Sequence, residues 1–312
     1  MIEVKQLAAL PGHQNPIYAI EASQKPGIFF TAGNDKGVVE WSLKKMAHIK
    51  VLLPVKTSVY ALHAPASAPV LAIGERSGQV NIFDFEQQKV TAILNHHEKP
   101  IFDIQSVSSK KELLIASEDG SVSVWNMNNS SAGLDPYALL YSFKVSTEMV
   151  RSISVSPDEK QVAFGAKDNR IRIYSLTDYS LLHDFEAHSM PVTSLKFSPD
   201  GRYLISGGRD AQLKIWDSTS FTLVKTIPAH LFAIYDIVFH PSKPYFATAS
   251  RDKSIKIWDA RDFSLKKVIS LEKGYSAHRL SINKIAWEPY SNYLISVGDD
   301  KMVMVWDIQI EE

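Results

Sequence analysis

The sequence predicts an all-β protein assembled from seven copies of one four-stranded unit, and three observations carry that prediction. Short apolar segments end in an aromatic residue plus a small polar or acidic one at Trp41-Ser42, Phe83-Asp84, Trp125-Asn126, Tyr174-Ser175, Trp216-Asp217, Trp258-Asp259 and Trp306-Asp307. These marks recur at intervals of 42, 42, 49, 42, 42 and 48 residues, a 42-residue period with two insertions of 7 and 6 residues. Between the marks, apolar and polar residues alternate with a period of two, as half-buried strands do.

The elements of one unit follow in order. In the fifth, residues 192–197 read as a strand and Ser198 to Gly201 as a Pro-Asp-Gly turn. Residues 203–206 read as a second strand, Gly208-Arg209-Asp210 as a second turn, and 212–216 as a third strand ending on Trp216. Proline presets φ in such turns and glycine supplies positive φ. Four strands in about 42 residues make one propeller blade, so the expectation is a seven-bladed β-propeller of four-stranded antiparallel blades, one domain over residues 1–312. No long stretch has helical period. Residues 2–8 lie where a fourth strand of blade seven is needed, and the chain stops soon after Trp306. They are therefore expected to form the outer strand of that blade and close the ring, removing an edge that would invite aggregation.

Composition narrows the function classes. Apolar residues are 45% and charged residues 22% of the 312, as in ordinary soluble proteins. Lys plus Arg equals Asp plus Glu, 34 each, so no global field draws a phosphate backbone or an anionic membrane. The absence of cysteine excludes disulfides, thiolate metal sites and thiol nucleophiles. Glu3 and Lys5 interrupt what a signal peptide would need to be apolar, and no run approaches the roughly 18 apolar residues of a membrane span. A soluble, cytoplasmic protein is expected, monomeric on its own, without membrane or cofactor.

Ala187-His188 with Trp216-Asp217, Ala229-His230 with Trp258-Asp259, and Gly12-His13 with Trp41 resemble the Gly-His and Trp-Asp signatures of the WD-repeat (WD40) family. The resemblance covers essentially the whole chain and implies the fold while saying little about function. It also implies a structural tetrad in each blade: His, a hydroxyl residue 18 later, Asp 4 after that, and Trp 6 further on. Four are complete: His13, Thr31, Asp35, Trp41; His188, Ser206, Asp210, Trp216; His230, Thr248, Asp252, Trp258; and His278, Ser296, Asp300, Trp306. Blade three keeps His97, Asp119 and Trp125 but has Ile115 at the hydroxyl position. Blade two reads Val55, Ile73, Ser77 and Phe83, and blade four Ser146, Phe164, Asp168 and Tyr174. In these last two, packing is expected to replace hydrogen bonding.

A His, a Ser and an Asp also spell a hydrolase triad. One catalytic group would suffice for an enzyme, whereas here four copies repeat in phase, each with an indole that can only donate. The expectation is therefore structural, with no catalytic residues. His96-His97 suggests a metal, yet adjacent side chains diverge and no third ligand follows at a convincing spacing, so none is expected.

In similar propellers the residue five positions beyond each His rings the funnel mouth. Those residues are Tyr18, Tyr60, Phe102, Arg151, Thr193, Tyr235 and Asn283, four of them aromatic. The positions before the tetrad Asp share that top face and include the basic Arg76, Lys167, Arg209 and Arg251; the second insertion adds Lys273 and Tyr275. Tyr and Arg are common interface anchors. The expectation is a non-catalytic scaffold for a protein or peptide with apolar and acidic groups, bound at Tyr18, Tyr60, Phe102, Arg151, Tyr235, Arg76, Lys167, Arg209, Arg251 and Tyr275. Nucleic acid is disfavoured by the neutral total; a local basic patch for nucleic acid or lipid headgroups is the alternative, and a propeller enzyme a weaker one. Trp258-Asp-Ala-Arg261 resembles an element of WD-repeat substrate receptors of cullin ubiquitin ligases, as a single copy.

Overall fold

The computed structural model describes residues 2–127 and 136–310. Most of the first insertion, 128–135, lies outside the described residues. The fold is all-β, and each sequence repeat forms one four-stranded antiparallel blade of a propeller. A lone strand, β1 (Ile2–Leu10), comes first. Blade one is β2 (Ile17–Ala22), β3 (Ile28–Gly33), β4 (Gly37–Ser42) and β5 (Ala47–Pro54); blade two is β6 (Val59–His63), β7 (Val70–Glu75), β8 (Val80–Asp84) and β9 (Lys89–Leu94). Blade three is β10 (Ile101–Val107), β11 (Glu112–Ser117), β12 (Ser121–Asn126) and β13 (Leu139–Lys144). Blade four is β14 (Val150–Val155), β15 (Gln161–Ala166), β16 (Arg170–Ser175) and β17 (Leu181–Glu186). Blade five is β18 (Val192–Phe197), β19 (Tyr203–Gly208), β20 (Gln212–Asp217) and β21 (Leu223–Pro228); blade six is β22 (Ile234–Phe239), β23 (Tyr245–Ser250), β24 (Ile255–Asp259) and β25 (Leu265–Ile269). Blade seven is β26 (Ile282–Trp287), β27 (Tyr293–Gly298) and β28 (Val303–Ile310), with β1 added beside β28.

β1 thus supplies the fourth strand of blade seven, but it extends to Leu10, past the predicted end at residue 8. The extension follows from a β-bulge between Gln6 and Ala8, which restores the register so that Ala8, Ala9 and Leu10 also pair, with Val305, Met304 and Val303. Second strands are buried along most of their length, as in β7 (VLAIGE), because both faces are covered. Outer strands such as β21 (LVKTIP) are almost wholly exposed, which lets them carry mixed residues.

The tight turn between the second and third strands has one backbone rule in every blade. The residue after the tetrad Asp position is left-handed: Lys36, Gly78, Gly120, Asn169, Ala211, Lys253 and Lys301, with φ from 56° to 90°. Glycine is required where the neighbouring chain approaches: a Cβ on Gly120 would sit 2.3 Å from the Ser146 carbonyl oxygen.

The chain packs as two compact units, residues 1–59 with 228–312, and residues 60–227. In the first, Leu10, Ile17, Phe29 and Trp41 of the N-terminal part pack on Ile295, Val297, Val303 and Val305 of blade seven. Ile255 and Ile257 of blade six share a core with Ile282, Ile285 and Trp306. In the second unit, Val80 and Ile82 pack on Ile101 and Ile104, and Leu114 and Val124 on Val150 and Ile153. Side chains on the first strands also tie blades by hydrogen bonds. Asp103 accepts from the Ile153 amide at 2.7 Å, Ser152 and Ser154 accept from the Leu195 and Phe197 amides, and Asp236 accepts from the Ile285 amide at 3.0 Å.

Candidate functional site

The loops that enter each blade are held by the tetrads. In blade one the Trp41 indole donates to Thr31 Oγ1 (2.7 Å), and Thr31 Oγ1 lies 2.7 Å from His13 Nε2, with His13 Nδ1 2.7 Å from Asp35. An indole only donates, so the hydroxyl accepts from it, gives its own proton to Nε2, and leaves Nδ1–H for the carboxylate. The same relay runs through Trp216, Ser206, His188 and Asp210, through Trp258, Thr248, His230 and Asp252, and through Trp306, Ser296, His278 and Asp300. Burial pushes the imidazoles of His13 and His230 below their usual range, outweighing the adjacent carboxylate, so both stay neutral. Burial opposes ionisation of Asp252 too, but hydrogen bonds from His230, Ser254 and the Leu231 amide outweigh it and hold this carboxyl far below the usual range. The four hydroxyl residues are 0% exposed, so no substrate reaches them. Each Asp also accepts from the amide just after the His, in Gln14, Ser189, Leu231 and Arg279, which fixes the loop above the blade.

The residues expected at the funnel mouth share a backbone cause. Each is the second residue of a first strand, and in six blades the ladder skips it: Tyr18, Phe102, Arg151, Thr193, Tyr235 and Asn283 each stand at a register shift. A bulged residue leaves the pleat, which re-aims its side chain. In the second unit three of these positions meet. The rings of Tyr60 and Phe102 lie 5.7 Å apart, and the Arg151 guanidinium lies 4.9 Å from the centre of Phe102. Tyr18 and Tyr235 are half-buried in the first unit.

The other positions differ in what they touch. Thr193 is buried and donates to the Gly207 carbonyl, and Asn283 donates to the Ile17 carbonyl and to Asp299, so both serve the fold. Arg76, Arg209 and Arg251 are exposed, whereas Lys167 is paired with Glu148 at 2.9 Å, which offsets its charge. Tyr275 is not a free loop aromatic: its ring packs edge-on against Trp306, 6.3 Å away, within the core of blades six and seven. Among the described residues no His, Asp and Glu side chains converge as a metal site, and His96 bonds Ser142 while His97 bonds Asp119.

Comparison with protein-family models matches residues 88–126, 137–175, 179–217, 221–259 and 269–307 to WD40, the WD domain or G-beta repeat. The chain belongs to the WD40 family. Its curated relatives include the Arabidopsis thaliana Protein SPA1-RELATED 4, 26% identical over 52% of this chain and 20% of the relative. The Mus musculus guanine nucleotide-binding protein subunit beta-like protein 1 is 25% identical over 39% of this chain and 42% of its own length. The Saccharomyces cerevisiae COMPASS component SWD3 is 31% identical over 37% of this chain and 39% of its own. The chain thus spans less than half the length of each of these three.

The WD40 repeats with incomplete tetrads correct the sequence reading. In blade three the hydroxyl is not lost but moved: Ile115 pairs across the ladder with Ser123, and Ser123 Oγ takes the place of the missing group. It accepts from the Trp125 indole at 2.8 Å and lies 2.9 Å from His97 Nε2. The same opposing position is polar in the other two. Asn81, opposite Ile73, donates to the fully buried Glu75 at 2.6 Å. Arg172, opposite Phe164, pairs with Asp168 at 2.7 Å, and Asp168 also accepts from Ser146. Packing therefore does not simply replace hydrogen bonding there; in each of these blades a third-strand side chain at the opposing position carries a polar link. The signal in the sequence is weak: Ser123, Asn81 and Arg172 stand where blades one and seven have Val39 and Met304 and blades five and six have Lys214 and Lys256. Ser123→Ala is expected to cost about 1–2 kcal/mol by thermal melting, since it leaves an indole and an imidazole unpaired. Adding Ile115→Ser to Ser123→Val returns the hydroxyl to the second strand and should recover most of that loss; no recovery would refute the swap.

Arg261 of the Trp258-Asp259-Ala260-Arg261 element is engaged by its own blade. It donates twice to Asp259, at 2.9 and 2.8 Å, and these bonds draw the Asp259 carboxyl down to about 2.

Proposed function

We propose that this WD40 chain is a non-catalytic scaffold that binds a protein or peptide partner at the loop ends of its blades. The observation that carries the reading is the cluster of Tyr60, Phe102 and Arg151 at adjacent first-strand starts. Two aromatic rings and a guanidinium on rigid strands supply contact area at low entropic cost, the composition of interface anchors. The tetrads support it from the other side, because their nucleophile-like hydroxyls are sealed and their loops are pinned. The relatives' names point the same way: one is a component of COMPASS, another resembles a guanine nucleotide-binding protein subunit. In affinity purification from the native cell, the folded triple variant Tyr60→Ala/Phe102→Ala/Arg151→Ala should lose at least one partner of the wild type. Retention of every partner, with an unchanged melting curve, would sink the reading.

A further inference from the structure

The two residues that follow each tetrad His position sit on the loop entering the blade. In six blades this pair contains at least one polar residue; only in blade six are both apolar, Leu231 and Phe232. Neither is buried. Leu231 is 82% exposed and Phe232 55%. Their backbone is held from beneath: the Leu231 amide donates to Asp252, Ser250 Oγ donates to the Phe232 carbonyl, and the Arg251 amide donates to the Ala233 carbonyl. Two large apolar side chains therefore stand in water on a loop that three hydrogen bonds prevent from collapsing, an arrangement already ordered for an incoming apolar group.

The exposed charges on these loop tips are basic. Arg251 lies with its guanidinium 5.8 Å from the Phe232 ring, and Lys253, in the left-handed turn position, is exposed. Blade seven packs on blade six through β26 and β22, and at the same loop position it carries exposed Arg279 and Leu280. Of the acids in these loops, the side chains of Asp252 and Asp300 are only 6% and 8% exposed and each is held by its histidine, while the half-buried Asp299 accepts from Asn283 and is followed by the exposed Lys301. Arginine on an aromatic face keeps its edge N–H groups for a planar carboxylate.

We infer that the loop tips of blades six and seven dock a protein segment carrying an apolar side chain flanked by Asp or Glu, the apolar group against Leu231, Phe232 and Leu280 and the carboxylates on Arg251, Lys253 and Arg279. The inference rests on the scaffold reading and adds to it a site, built from residues other than Tyr60 and Phe102, for the apolar and acidic partner chemistry expected from the sequence. The apolar contact supplies affinity, and the basic rim supplies selection against neutral or basic segments and a salt-dependent encounter rate.

The test pans a random peptide library displayed on phage against the wild-type protein, and synthesises the most enriched peptides for binding by fluorescence anisotropy. The enriched sequences should combine an aromatic or aliphatic residue with neighbouring Asp or Glu and bind more weakly as salt rises. Leu231→Ser/Phe232→Ser and Arg251→Glu/Lys253→Glu should each weaken them by about tenfold or more. All four side chains are exposed, so melting curves of both variants should match the wild type. Peptides without acidic residues, or binding unchanged in both variants, would overturn the site. Peptides lost only on Tyr60→Ala/Phe102→Ala would overturn it while leaving the scaffold reading intact. A failure of any peptide to bind any form of the protein would count against both.

Discussion

Trp306→Ala is expected to destabilise the protein by about 3–5 kcal/mol, the range for removing a large buried aromatic. Three things are lost together. The indole is 0% exposed and lies in the core shared by blades six and seven, with Ile257, Ile285 and Leu294 around it. Its N–H donates to Ser296 at 2.9 Å, the first link of the relay that ends on Asp300 and the Arg279 amide. Its ring also supports Tyr275. A loss of this size consumes a large share of the stability of an ordinary domain. Trp306→Phe separates the contributions in part: it keeps most of the apolar volume while removing the donor and one ring's width, so it should cost less, about 1–3 kcal/mol. Chemical denaturation of both variants checks this. A Trp306→Ala cost below that expected for Trp306→Phe would refute the placement of the indole between the blades.

Removing residues 2–10 is expected to lower the melting temperature by about 10 °C or more. The strand β1 pairs with β28 over eight positions from Ile2 with Ile310 to Leu10 with Val303, and β28 contains the tetrad Trp306. Without β1, the fully buried Val303, Val305 and Ile308 lie on an open edge, and Leu10 leaves the core it shares with Ile17 and Trp41. Exposed edge amides and carbonyls then invite pairing with other chains, so light scattering should rise with the loss of stability. An unchanged, non-aggregating transition would contradict the role of β1 in blade seven.

Much of this was legible because propeller repeats write their register in residues with narrow physical roles. A Trp at the end of every third strand, or an aromatic in its place, gave the period, and the turn residues gave the strand ends. The four complete tetrads could be named once the family resemblance supplied their pattern, since their members all lie at set distances along one chain. The missing parts have a common reason. Ser123 stands in for Ile115 because the two face each other across a ladder, which brings together residues 8 positions apart through a turn. No spacing rule along the chain reveals that a hydroxyl can serve the same imidazole from either strand. The pairing of Lys167 with Glu148, 19 residues away, is equally a property of the folded loops.

The sequence by itself determined the blade count and the strand order within each blade, because local periodicity and turn chemistry act over a few residues, and the family resemblance it carries named the buried relays. Tertiary structure alone decided which side chains remain available to a partner. Tyr275 and Leu231 are both large side chains on connecting loops, yet one folds onto Trp306 and the other stands 82% exposed. The difference lies in what each loop is tied to. The Leu231 loop is anchored by Asp252 and Ser250 before its side chains can reach the core, whereas Tyr275 follows the turn at Leu271–Lys273, which returns its ring to the core of blades six and seven.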